Sequence, residues 1–207
     1  MRISALVSVP MGVGLAVLAG PIMDVLYPHS HRAGAGLLQI MGIASFFVCL
    51  VLMENAILQA SGREKLTMLT LIAGGVIKII INWFLVARRD VNIYGAPVGT
   101  LCSYLAMAVM DYVFMCRTLE KRPRLLRVFT GPLTASALMG LTAWGVYGLG
   151  ARLLGQGRIG TLFAMCVAIG AAVIVYLVAA ILFKAVTKED MKLIPGGEKI
   201  ARLLHMR

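Results

Sequence analysis

Acidic residues are scarce in this chain. Of its 207 residues only 9 are Asp or Glu, against 20 Lys and Arg, and charged residues of both signs make up 14%. A soluble domain carries about 25% charged and about 45–50% apolar residues. Here 60% are hydrophobic and the mean hydropathy is +0.89. So little charge excludes a water-solvated surface over most of the chain. Low-complexity tracts and internal repeats are lacking as well.

Cysteine is equally uninformative for chemistry. Cys49, Cys102, Cys116 and Cys166 are widely spaced in apolar runs, with no C-x-x-C. That pattern excludes a disulfide framework or zinc site and predicts small buried hydrophobes. His29 and His31, near Asp24 in "MDVLYPHSHRAGAG", lack a third ligand at convincing spacing, so a solvated loop is expected and no metal. "GVG" at Gly12–Gly14 and "GAG" at Gly34–Gly36 follow no strand and lack the lysine of a phosphate loop. No Ser/His/Asp or Cys/His constellation is visible. Neither an enzyme nor a cofactor is expected.

What is present is a series of long apolar runs. Six stand apart, at about Ile3–Ile22, Gly36–Gln59, Leu66–Ala87, Tyr94–Cys116, Phe129–Gly150 and Ile159–Phe183. Each has the roughly 20 residues that a helix needs to cross a bilayer. Polar and apolar residues do not alternate, which argues against a transmembrane barrel. The expectation is an all-α polytopic transmembrane helix bundle of six spans. "MRISALVSVP" has the charge of a signal peptide, but its apolar run continues too far and no cleavage site is persuasive.

The net charge of +11 does not describe a nucleic-acid binder, because the basic residues lie between apolar runs. Such residues meet anionic headgroups and set topology. With a cytoplasmic N-terminus, the inner side holds Arg2, Arg63, Lys65, the cluster Arg117, Lys121, Arg122, Arg124 and Arg127, and the tail cations from Lys184 to Arg207. These are 14 of the 20 basic residues. Arg32, Arg88, Arg89, Arg152 and Arg158 fall outside. Both termini are expected in the cytoplasm of a bacterial plasma-membrane protein.

The first span is expected to be bent, by Pro10 in its interior and by Gly12, Gly14 and the Gly20–Pro21 pair. Stripes of small residues predict close helix packing, Gly95, Gly99 and Ser103 in the fourth span and Gly160, Ala164, Ala168 and Ala172 in the sixth. Residues 1–186 form the bundle. In the tail, residues 187–207, Thr187 and Asp190 resemble a capping box, Pro195–Gly197 break the segment, and "EKIARLLHMR" reads as a basic amphipathic helix on the inner leaflet.

Lys78 is the sharpest feature. A lysine at the bilayer centre costs about 2.5–3.5 kcal/mol on insertion scales and usually faces a bundle interior or wet cavity. Thr70, Gly74, Lys78 and Asn82 are spaced by four and share a helix face. Two acids could partner the lysine: Glu54, in "MENAILQ" with Asn55 and Gln59 near it, and Asp111 in "VMDYVF". Each lies about 7–9 Å above the inner boundary and Lys78 about 18 Å above its own; a snorkelling stem closes part of the gap. Glu54 is favoured, because the short loop Ala60–Lys65 makes the second and third spans neighbours. Lys78, Asn82, Glu54, Asp111 and Gln59 are the cavity or gating candidates.

The order "SVPMGVGLAVLAGPIMDVLYP", "ENAILQASGREK", "VIKIIINWFLV", "NIYGAPVGTLCSYL" and the ending "TKEDMKLIPGGEKIARLL" resembles the C-terminal part of the stage V sporulation protein B type. That is a branch of the polysaccharide transporter family in the multidrug/oligosaccharidyl-lipid/polysaccharide flippase superfamily. The resemblance runs over essentially the whole chain. It implies about fourteen spans in two six-helix lobes plus two extra helices, alternating access to move lipid-linked sugars outward. This chain would hold the ninth to the fourteenth. Lys78, Asn82 and Gln59 match recurrent family positions. The cationic residues that bind pyrophosphate in related lipid II flippases fall largely outside the chain, so none is carried over.

Two lobes are needed for alternating access, so a truncated sequence or a start placed too late is expected, or a half-protein that assembles with an N-terminal partner. The expected function is translocation of lipid-linked oligosaccharide, peptidoglycan or polysaccharide precursors for the cell wall or sporulation. Its partners are a lipid-linked saccharide, membrane lipids and the absent lobe, with no nucleic acid. The alternatives are an ion-coupled exporter of small drugs and a non-transporting scaffold for cell-wall synthesis.

Overall fold

The computed structural model of the protein describes residues 2–27, 31–88, 92–118, 125–154 and 158–182. They form α1 (Arg2–Val17), α2 (Ala19–Leu26), α3 (His31–Ala60), α4 (Glu64–Val86), a 3₁₀ turn at Asn92–Tyr94, α5 (Gly95–Thr118), α6 (Leu125–Leu154) and α7 (Arg158–Leu182). No strand occurs among the described residues. Each expected apolar run coincides with a helix or, for the first, with a bent pair. The helix α3 begins at His31, so the expected loop there is shorter. The tail, His29 and most of the basic cluster after Arg117 lie outside the described residues.

By length and apolar composition alone, fewer of the described helices qualify as crossings than the expected six. Four helices are long and apolar enough to cross a membrane: α3 over Gly34–Ala60, α4, α5, and α7 over Gly160–Ala180. The pair α1 and α2, bent by 63°, passes the same test together and adds a fifth if the two form one broken span. The 30-residue α6 does not join that set, because glycine, threonine and aromatic residues dilute its apolar run.

The bend is not at Pro10, which sits inside an unbroken α1. It falls at Leu18. The cause is Pro21, which has no N–H to give to the Val17 carbonyl and whose ring crowds it, so the helix ends at Val17 and restarts at Ala19. At Pro10 the same loss leaves the Leu6 carbonyl without its helical donor. The buried Tyr176 hydroxyl of α7 supplies one, donating to that carbonyl at 2.6 Å. A backbone group freed in a membrane helix is thus re-satisfied by a neighbour.

The helices lie side by side in the order α7, α6, α1, α3, α5, α4, with α2 against α3 and α7. Small residues set the close approaches. A Cβ on Gly12 would lie 2.8 Å from the Gly42 carbonyl oxygen of α3, and one on Gly150 of α6 would lie 2.9 Å from Ala164 Cβ of α7. Ala164, Ala168 and Ala172 are buried, as are Gly95, Gly99 and Ser103 of α5. No disulfide forms: Cys49, Cys102 and Cys116 are half-buried and Cys166 is exposed, so they are less deeply packed than expected.

The expected adjacency of α3 and α4 is corrected. Gly62, at φ +71°, closes α3 with bonds from Gly62 N–H to the Gln59 carbonyl and from Arg63 N–H to the Leu58 carbonyl, both 2.9 Å. This Schellman turn sends the chain away, and α4 packs mainly on α5 and barely on α3. A short loop ties the ends of two helices but not their lengths.

Candidate functional site: a polar seam between three helices

Two glycines fix how α4 lies on α5. A Cβ on Gly74 would strike the Met107 side chain, and one on Gly99 would strike Asn82 Oδ1. The partners step by eight residues in opposite directions, so the helices are antiparallel. That register puts Thr70 opposite Asp111 and Lys78 opposite Ser103. Thr70 indeed lies beside the Asp111 carboxyl, although its hydroxyl donates to the Thr67 carbonyl at 2.9 Å.

Across α5 the same level is met by α3. Val51 packs with Met107 and Ala108, so Glu54 and Asn55, one turn further on, come level with Asp111. The Glu54 and Asp111 carboxyls are near enough to interact electrostatically. Both acids are 0% exposed. Neither carboxyl oxygen of Glu54 or of Asp111 has a hydrogen-bond partner, and Asn55 Oδ1 and Thr67 Oγ1 are also buried without one.

The expected ion pair with Lys78 is therefore absent. Lys78 stands two turns, about 12 Å, from the level of Thr70 along α4, beyond what its stem recovers. It is half-buried, and it makes no hydrogen bond or ion pair among the described residues. Asn82 is also half-buried, with Oδ1 buried, unpartnered and pressed against Gly99. The face Thr70, Gly74, Lys78, Asn82 does turn inward, onto α5. Gln59 is exposed in the last turn of α3.

The candidates thus divide into Lys78 with Asn82 on the C-terminal half of α4, and Glu54 with Asp111 about two turns towards the N-terminal end of α4. Thr67, buried with Oγ1 unpartnered three residues before Thr70, was missed from the sequence; that spacing on an apolar helix was the available signal. Two apolar grooves are present. One, of about 490 Å³, runs along Cys49, Met53, Ile57 and Ala60 of α3; another, of about 330 Å³, lies between α1 and α3 at Gly12 and Gly42. None of the five candidates lines either groove. No group of three His, Cys, Asp or Glu side chains able to hold a metal occurs among the described residues.

No family model matches the chain, and no solved structure matches it. Two proteins of Bacillus subtilis are similar. "Uncharacterized membrane protein YabM" is 27% identical over 205 residues, which covers 94% of this chain and 36% of that protein. "Lipid II flippase MurJ" is 27% identical over 143 residues, covering 64% of this chain and 25% of that protein. The chain spans about a third of the length of the first and a quarter of the second. Its apolar helices and its likeness to these membrane proteins make it a multi-pass membrane protein.

Proposed function

We propose that the chain is the C-terminal part of a flippase that carries a lipid-linked saccharide precursor across the bacterial plasma membrane. The observation that carries this reading is Lys78: a cation set within an apolar helix and held there without a counter-ion among the described residues. Placing charge at that depth is costly and marks a functional path by default. Similarity to a lipid II flippase over 64% of the chain supports the same reading.

On this account α6 and the bent α1–α2 pair also cross, giving six spans with both termini cytoplasmic in a fourteen-span arrangement. The tail from Thr187 to Arg207 lies on the inner leaflet. Lys78 presents its ammonium, with the Asn82 amide beside it, to the anionic headgroup in a wet cleft between two lobes. Gln59 stands at the cytoplasmic mouth. Helix α4 suits a cleft wall: it is an edge helix, and Ile72, Val76, Ile79, Ile80 and Trp83 leave it broadly exposed.

Two measurements test this. In-frame genomic sequence upstream of the Met1 codon should encode about eight more spans or, failing that, a neighbouring gene should supply the other lobe. The complete transporter, reconstituted in vesicles, should flip a fluorescent lipid-linked saccharide and leave cationic dyes untouched. Export of the dyes instead would favour the ion-coupled drug exporter. Activity that survives neutral changes in the spans but not removal of residues 187–207 would favour the scaffold.

A further inference from the structure

We propose that the groove along α3 seats one acyl chain of an anionic phospholipid, whose phosphate is met by Arg63 and Lys65 where the groove ends at the α3–α4 turn.

The first observation is the shape of the groove. Its volume is about 490 Å³, and it follows one face of α3 from Cys49 to Ser61. Over those residues the chain rises roughly 18 Å. One leaflet supplies half of a hydrocarbon core of about 30 Å, so the groove has the depth of a single leaflet. Spread over that length, its volume leaves a cross-section of roughly 27 Å². A helix about 10–12 Å across with its side chains needs roughly 80 Å² or more. The groove is too narrow to take a helix and has the calibre of one hydrocarbon chain.

Its lining explains why a chain would stay. Small side chains, Cys49, Ala56 and Ala60, alternate there with Leu52 and Ile57. Ala56 and Ala60 are exposed, and Leu52 stands well out beside them. Other exposed faces carry large side chains without such gaps, as Ile72, Val76 and Ile79 do on α4 or Val173, Ile174 and Leu177 on α7. A chain lying in a concave face meets atoms on both flanks, and each added contact brings dispersion attraction.

The second observation is charge, and it is independent of the first. Arg63 and Lys65 follow Ser61 within one turn, and both are exposed. The bond from Arg63 N–H to the Leu58 carbonyl, at 2.9 Å, folds Arg63 back against the last turn of α3. Glu64 lies between the two cations. The register of α4 on α5, carried to the helix ends, brings the exposed Arg117 to its level. Three cations therefore face one carboxylate at the end of the groove.

An apolar channel one leaflet deep with a positive mouth is complementary to the two parts of an anionic phospholipid. Juxtamembrane Lys and Arg attract such headgroups, and the arginine fork suits phosphate oxygens. A zwitterionic lipid fills the channel equally well but gains less at the mouth. The argument holds on whichever side of the membrane the α3–α4 turn lies, and it does not depend on what the protein transports. The seated lipid ties that turn to the membrane surface.

The test is native mass spectrometry of the full chain in detergent, titrated with phosphatidylglycerol or phosphatidylcholine of identical acyl chains. One phosphatidylglycerol per chain should bind saturably, about fivefold or more tighter than phosphatidylcholine. The double variant Arg63→Gln, Lys65→Gln should lose that preference and keep its phosphatidylcholine binding. Ala56→Trp, at an exposed position, should weaken both lipids alike. Equal binding of the two lipids would overturn the proposal, as would a preference that survives the double variant or binding that Ala56→Trp leaves intact. Undecaprenyl phosphate displacing phosphatidylglycerol at equal concentration would assign the groove to a polyprenyl chain instead. In membranes, a photo-crosslinker at Ala56 should capture phospholipid; capture of polypeptide alone would show a helix over the groove and contradict the proposal.

Discussion

The Tyr176 hydroxyl of α7 donates to the Leu6 carbonyl of α1 at 2.6 Å, the carbonyl that Pro10 leaves without its helical donor. Two residues 166 positions apart, Pro10 and Tyr176, are thereby coupled through one oxygen. An orphaned buried acceptor costs about 1–3 kcal/mol. Tyr176→Phe should lower stability in detergent by about that amount. Pro10→Ala restores the N–H donor, so the double variant should recover most of the loss. A double-mutant cycle read by thermal unfolding checks it, and a Tyr176→Phe loss unchanged in the Pro10→Ala background would contradict the coupling.

The 63° bend at Leu18 is assigned to Pro21. Val7 and Leu26 are exposed sites on its two sides, and their Cα atoms should lie about 24 Å apart when bent and about 28 Å apart in a straight helix. Spin labels at Val7→Cys and Leu26→Cys, in a background without the native cysteines, should report the shorter distance. Adding Pro21→Ala should lengthen it, while adding Pro10→Ala should leave it unchanged.

Gly74 and Gly75 are neighbours with opposite surroundings. A Cβ at Gly74 meets Met107, whereas one at Gly75 meets nothing within 4 Å. Gly75→Ala should stabilise, since alanine exceeds glycine by about 0.8–1.0 kcal/mol in a helix interior. Gly74→Ala should lose part or all of that gain, and Gly74→Leu should push α4 off α5. Gly99→Ala should also destabilise, because Asn82 Oδ1 occupies the space. Unfolding temperatures of the four variants in one detergent give the ranking.

The proposed orientation has its own check. Ser61, in the α3–α4 turn, should be labelled as Ser61→Cys from the cytoplasm, and Arg88, past the end of α4, as Arg88→Cys from outside. Both positions are exposed. The reverse pattern of labelling by a membrane-impermeant maleimide would invert the topology.

Helix boundaries were legible because apolar runs long enough for a membrane stop at charges and turns, and no packing detail is needed to see them. The small-residue stripes were legible for the same local reason: Ala164, Ala168 and Ala172 share a face whatever they touch. Neighbour relations were not. The loop at Gly62 is short, yet α5 rather than α3 covers α4, and that choice is made by Gly74 fitting Met107 and Gly99 fitting Asn82. The partner of Lys78 was misjudged on this account, since Thr70 rather than Lys78 comes level with Asp111. The bend was expected from Pro10 together with Gly12, Gly14 and the Gly20–Pro21 pair; that it falls at the last of these follows from the Tyr176 hydroxyl meeting the Leu6 carbonyl, a contact between residues far apart in sequence.

On the proposed reading, Lys78 serves the translocation of an anionic lipid-linked headgroup. The most direct measurement is the initial flipping rate of a fluorescent lipid-linked saccharide by the complete transporter in vesicles, with Lys78→Met and Lys78→Arg beside the unaltered protein at matched protein levels. Lys78→Met should cut the rate at least about tenfold, equivalent to about 1.4 kcal/mol in the barrier, and Lys78→Arg should keep a substantial part of it. A Lys78→Met protein that inserts normally and flips at the unaltered rate would contradict the account.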